Sequence, residues 1–143
     1  MLIPGEIPKI EPLIRIGIIL PQDEIESIQV SFSDPQCFEL ETEKKLYPSC
    51  NNENELTLQL RKGELHISQF DMTSPTINII PSIPDERPYI TLFGLIAGRG
   101  FHWQKRINAS FWGKIEFLVM DDKLIAINEL PLEQYLQCVA TSE

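Results

Sequence analysis

The sequence predicts an α+β domain that is mostly β: short antiparallel strands and hairpins, closed by one C-terminal helix. Three observations carry that prediction. Two glycine- or aspartate-centred turns, Lys62-Gly63 and Asp121-Asp122, each sit between short apolar-alternating runs. Pro75, Pro81, Pro84 and Pro88 cut the middle of the chain into pieces too short for helices. Helical spacing of apolar residues is clear only after Pro131.

The elements follow in order. Leu13–Leu20 is an isoleucine-rich run with the look of a buried strand. Ile25–Ser33 places Ile28, Val30 and Phe32 on one face, the period of a half-buried strand, and Asp34-Pro35 ends it in a turn. Phe38–Thr42 is expected to pair nearby. Tyr47–Asn54 reads as a polar loop. Leu56–Leu60 and Glu64–Ile67 flank Lys62-Gly63 as a hairpin, and Lys114–Met120 and Lys123–Ile127 flank Asp121-Asp122 as another. Thr76–Ile80 and Tyr89–Phe93 are short strands between stiff turns. Gly98-Arg99-Gly100 is a turn, with no phosphate-binding glycine pattern around it. Ala109-Ser110-Phe111-Trp112-Gly113 is expected to be a short aromatic–glycine turn.

Pro131–Glu143 is the expected helix. Proline suits the first helical position and Glu133 the positive end of the dipole. Leu132, Tyr135, Leu136 and Val139 recur at i, i+3, i+4 and i+7. At about 100° per residue, Glu143 lies roughly 20° from Leu132 around the axis, on the apolar face. Two readings stay open at that point: a carboxyl held in an apolar layer, or a solvated residue beyond a helix frayed by Thr141.

Composition narrows the function classes. The chain has 143 residues, 43% of them hydrophobic, enough for a single core. A net charge of −9 argues against general nucleic-acid binding, which needs clustered cations. No apolar stretch has the length of a membrane span, and no basic segment followed by an apolar one marks a leader. Cys37, Cys50 and Cys138 show no metal or redox spacing; a Cys37–Cys50 disulfide is an open alternative to free thiols. His66 and His102 are read as strand or surface residues, and neither a metal nor another cofactor is expected.

One segment departs from the acidic average. Between Arg87 and Lys114 there is no acidic residue, while Arg99, Lys105 and Arg106 fall inside it together with Phe101, Trp103, Phe111 and Trp112. The cations could form a docking surface or simply line the wet face of a strand. Phe101, Trp103 and Ile107 are expected to be core residues of such a strand. Exposed rings there would stack on sugars, and the cations would pair with carboxylates.

The run Asn128-Glu129-Leu130-Pro131-Leu132-Glu133-Gln134-Tyr135-Leu136, followed by Val139 and Ser142-Glu143, resembles the signature of the SpoIID/LytB family of sporulation and amidase-enhancer proteins. The family pattern is roughly N-x-L-P-L-E-x-Y-L-x-G-V-x-x-S-E-M, after a small or aromatic turn and a β-hairpin. Ile107–Ile127 fits that lead-in, and Ile14-Arg15-Ile16-Gly17-Ile18 resembles the opening strand of such domains. Cys138 stands where the family usually has glycine, and Thr141 where proline is common. The resemblance implies a lytic transglycosylase acting on peptidoglycan, with Glu143 as the catalytic acid/base and a location in the cell envelope. It further implies that residues 1–143 are the N-terminal portion of a longer domain, with residues 13–107 its β-rich part and 108–143 the hairpin and motif helix. Trp112, Arg106 and Lys114 are the expected glycan contacts. The alternative is a peptidoglycan-binding activator of a wall amidase, in which Glu143 is structural.

Overall fold

The structure is a computed structural model that describes residues 12–47, 54–82 and 87–142, the last five of these as helix backbone. In chain order the strands are β1 (Leu13–Ile19), β2 (Ser27–Phe32), β3 (Phe38–Thr42), β4 (Leu46–Tyr47), β5 (Glu55–Arg61), β6 (Glu64–Ile67), β7 (Met72–Ser74), β8 (Thr76–Pro81), β9 (Tyr89–Ala97), β10 (Lys105–Trp112), β11 (Lys114–Met120) and β12 (Lys123–Pro131), followed by helix α1 (Leu132–Ser142). Among the described residues they form two six-stranded antiparallel sheets, ordered β1-β12-β11-β8-β3-β4 and β10-β9-β2-β5-β6-β7. The fold is therefore mostly β with one short C-terminal helix.

Both sheets bury one face in a common core. Ile28, Val30, Leu56, Leu58, Ile90 and Leu92 come from the second sheet, and Phe38, Leu40, Ile77, Ile79, Ile115 and Phe117 from the first. Each such aliphatic side chain contributes about 1.5–3 kcal/mol by leaving water. The alternation in β2 is as the sequence predicts, with Ile28, Val30 and Phe32 inward. Both two-residue hairpins form. Lys62 and Gly63 have φ of 51° and 77°, and Asp121 and Asp122 of 51° and 60°, the left-handed pair that matches the twist of a tight hairpin.

The core is shared from end to end. β1 pairs with β12, and β10 runs across residue 107. No helix among the described residues is long and apolar enough to cross a membrane.

Four local expectations need correction. Among the described residues β1 is an edge strand paired only with β12, and its alternate residues Leu13, Arg15 and Gly17 stay wet, because an edge position buries less of a strand than an interior one. Ala109–Trp112 is the end of the strand β10 rather than a turn; only Gly113 turns. β12 extends to Pro131, opposite Leu13, so the helix begins at Leu132. The pairing with β1 outcompetes an earlier helix start, and the missing proline N–H costs nothing at a strand end. Finally, Phe101 and Trp103 are 62% and 53% exposed, beyond the end of β9 and β10 rather than in a core strand.

Candidate functional site

The motif segment is anchored where the chain changes sheets. β10 closes the second sheet with Trp112 opposite Tyr89, and β11 opens in the first with Lys114 opposite Glu129. Gly113 makes the transfer at φ 86°. A Cβ there would lie 2.5 Å from the Glu129 carbonyl oxygen and 2.8 Å from Leu130 Cβ. Only glycine fits both the torsion and the space.

Asn128, the first residue of the motif, secures this transfer. Its side chain is 4% exposed, and its Nδ2 donates to the carbonyls of Trp112 at 2.8 Å and Lys114 at 3.0 Å. The two carbonyls flanking the crossover are thereby held by one side chain. Next to it, Glu129 accepts from Arg15 Nη1 at 2.9 Å and lies 3.7 Å from Lys114 Nζ. Arg15 also donates to Glu116 at 2.7 Å, joining β1, β12 and β11 by charge. The Glu116 hydrogen bond is the largest influence on Arg15 and raises its pKa further, against the lowering effect of burial.

The helix leaves this corner with Leu132 N donating to the Pro12 carbonyl at 2.9 Å. Beside its first turns lies a cleft of ≈ 110 Å³ lined by Pro81, Arg87, Pro88, Trp112, Gly113, Pro131 and Gln134. The Arg87 guanidinium stands 5.3 Å from the centre of the Trp112 ring, and its Nη1 donates to Gln137 Oε1 at 2.6 Å. The cleft is below the roughly 300–1,000 Å³ of ordinary ligand pockets. It suits a carboxylate on Arg87 or the edge of one ring against Trp112.

The predicted site residues are only partly brought together. Trp112 and Lys114 flank Gly113, but Lys114 faces Glu129 while Trp112 lines the cleft. Arg106 is six positions back along β10, roughly 20 Å away at the usual strand rise. It donates to the Gly94 carbonyl at 3.2 Å, fastening a bulge whose Gly94 N also donates to Asn108 Oδ1 at 3.1 Å. Glu143 and Cys50 lie outside the described residues. The helix continues through Ser142, past the point where fraying would begin. Its predicted apolar face is only partly covered: Leu136 is 55% exposed.

Arg87 and Gln134 are the residues the sequence reading left without a role in the cleft. Arg87 was legible as the start of the acid-free stretch; Gln134 carried no signal. A second, larger depression of ≈ 380 Å³ is lined by Gln22, Asp23, Ile96, Arg99, Gly100 and Gln104. Its charges are committed to each other. Arg99 grips Asp23 through Nε at 2.7 Å and Nη2 at 2.8 Å, and the Asp23 side chain is 1% exposed. Burial pushes the Asp23 pKa up. Hydrogen bonds from Arg99 and the Leu20 N–H, with the Arg99 charge, more than offset it and hold the carboxyl below its usual range. No group of three or more potential metal ligands occurs among the described residues.

Comparison with protein-family models, curated proteins and solved structures finds no match to this chain.

Proposed function

We propose that this chain is a peptidoglycan-remodelling protein resembling SpoIID, a lytic transglycosylase that cleaves glycan strands with Glu143 as its single acid/base. The observation that carries the reading is the motif run from Asn128 to Ser142-Glu143. What supports it is the way the run is used: a strand clamped at the sheet transfer by Asn128, then a helix continuous to Ser142.

In this reading Glu143 donates a proton to the glycosidic oxygen as the bond breaks. The same carboxylate then takes the proton of the sugar's own 6-hydroxyl, which closes a 1,6-anhydro ring. The proton count balances without a second carboxylate as nucleophile. Trp112 and Arg87 at the start of the helix would meet a sugar edge and a wall carboxylate. Arg106 and Lys114 are weaker contacts, since neither lines the cleft.

The test is incubation with amidase-stripped peptidoglycan, of this chain and of a form continued past Glu143 as the family pattern implies. The expected result is 1,6-anhydro-muropeptides by mass spectrometry, lost in Glu143→Gln with the fold intact. No such product from the folded, extended protein overturns the enzyme reading. The second reading, a peptidoglycan-binding activator of a wall amidase, is favoured by the exposed Phe101–Trp103 pair, which lies far from the helix motif along the chain. It predicts stimulated amidase cleavage that survives Glu143→Gln.

A further inference from the structure

The depression at the base of the β9–β10 loop is walled by two segments that a buried ion pair fixes together. Gln22 and Asp23 come from the turn after β1; Ile96, Arg99, Gly100 and Gln104 come from the end of β9 and the loop that follows. Arg99 grips Asp23 along one edge of its guanidinium, through Nε at 2.7 Å and Nη2 at 2.8 Å, and Nη2 also donates to the Ile18 carbonyl at 3.1 Å. Leu20 N donates to Asp23 Oδ2 at 2.9 Å. On the loop side, Gly100 N donates to Gln104 Oε1 at 3.1 Å, and Gln104 N to the Phe101 carbonyl at 3.0 Å. The walls are therefore set before any ligand arrives, which lowers the ordering cost of binding. At ≈ 380 Å³ the depression also falls within the roughly 300–1,000 Å³ of ordinary ligand sites, unlike the cleft at Trp112.

These internal bonds leave a definite set of groups over. Arg99 Nη1, Gln104 Nε2 and both ends of the Gln22 amide have no hydrogen-bond partner among the described residues. The three nitrogens donate, and Gln22 Oε1 accepts. Arg99 and Asp23 are the charged residues of the lining, and their charges cancel. Glu24 and Glu26, exposed just beyond Asp23, oppose an anion. A cation would face mostly donors. Ile96 adds one aliphatic wall. The ligand that matches has no net charge, several oxygens to accept hydrogen bonds, a hydroxyl or amide hydrogen to donate, and some C–H surface. A sugar ring carries all of these.

We infer that this depression binds one neutral sugar unit of a glycan, held by Arg99 Nη1, Gln104 Nε2 and the Gln22 amide, with C–H surface against Ile96. Phe101 and Trp103 have no part in it, since neither lines the depression. The motif helix has none either. Along β10 the site lies about 25 Å from Trp112 at the usual strand rise, at the opposite end of the β9–β10 pair. The inference therefore stands or falls separately from glycan cleavage by Glu143.

The experiment is a proton–nitrogen NMR titration of the whole chain with chitotriose, cellotriose and maltotriose, and with trigalacturonate as the anionic counterpart. The expected result is saturable shifts at the Gly100 backbone amide and the Gln22 and Gln104 side-chain amides with a neutral trisaccharide, and none with trigalacturonate. Chitotriose against the other two separates an acetamido-bearing source from a plain hexose polymer. Gln22→Ala and Gln104→Leu should each weaken affinity about five- to tenfold, the loss that one hydrogen bond carries. Circular dichroism checks each fold. Gln22 is exposed and makes no internal hydrogen bond among the described residues, so its variants keep the structure. If Gln104→Leu does not fold, Gln22→Ala and Gln22→Trp, which fills the mouth, decide the matter. The proposal is overturned by the absence of saturable shifts with every neutral trisaccharide, by shifts confined to another surface, by affinity unchanged in both Gln22 variants, or by preference for trigalacturonate.

Discussion

Two places in this molecule combine a tryptophan, a positive-φ glycine and nearby cations, and they meet opposite fates. At the sheet transfer, Trp112 is half-buried beside Gly113, under the Arg87 guanidinium, with Asn128 holding the backbone on either side. At the β9–β10 loop, Trp103 stands in water against Gly98, and the nearest fixed pair, Arg99–Asp23, braces the base of the loop. The difference is one of what surrounds the glycine. Gly113 is enclosed by the backbone of β12, so the geometry there is rigid and internal. At Gly98 the nearest obstacles all belong to one side chain that can move. One corner stabilises the fold; the other is free to meet a partner.

Substitutions can break that contrast. The largest effect is expected for Gly113→Ala. A Cβ at φ 86° collides with the Glu129 carbonyl and Leu130, so about 3 kcal/mol or more of stability should be lost in urea unfolding. A loss below about 1 kcal/mol would show that the crossover is not a fixed point. Asn128→Ala comes next, because it strands the Trp112 and Lys114 carbonyls; about 2–3 kcal/mol is expected in the same measurement.

Asp23→Asn should cost about 1–2 kcal/mol near neutral pH, since the Arg99 charge loses its ionised partner. It also carries a pH signature. The folded pKa of Asp23 is depressed, so the stability it contributes is fully present above the unfolded value of about 3.9 and is lost as pH falls from there through the folded pKa. In wild-type protein the unfolding midpoint should fall across that acid window; in Asp23→Asn the contribution of this group to the slope disappears. Identical acid limbs in the two proteins would remove the pair from the account of stability.

Gly98→Ala sharpens the comparison with Gly113. Both glycines have positive φ, yet at Gly98 the obstacle is the mobile indole of Trp103. About 1 kcal/mol is expected for the torsion, with Trp103 emission shifted as the ring swings away. The smallest effect is expected for Phe101→Ser/Trp103→Ser, within about 0.5 kcal/mol, because the removed rings are mostly solvated. A large destabilisation there would mean the loop is part of the core.

Much of the fold was legible before any coordinates. The Lys62-Gly63 and Asp121-Asp122 hairpins, the inward face of β2, the strand Phe38–Thr42 and the single C-terminal helix all follow from local chemistry: turn torsions, period-two alternation and one helical stripe. The candidate site was less so. The resemblance to the SpoIID/LytB motif singled out Asn128 to Glu143, but not that Asn128 would bond two carbonyls across a sheet transfer, nor that Arg87 would lie over the Trp112 ring across the β9–β10 pair. Those contacts join residues far apart in the chain, and no spacing rule encodes them.

What the sequence by itself determined are the features set within about ten residues of chain: which torsions a turn can adopt, which side chains alternate, where a helix gains a stripe. Only the tertiary structure decided exposure. β1 and β12 share similar aliphatic composition, yet β1 is a wet edge and β12 an interior strand, because strand order is set by non-local pairing. Trp103 and Trp112 have the same chemistry and the same kind of neighbours in sequence. One ended a strand at the joint between two sheets, the other capped a loop beyond their reach, and burial followed from that placement.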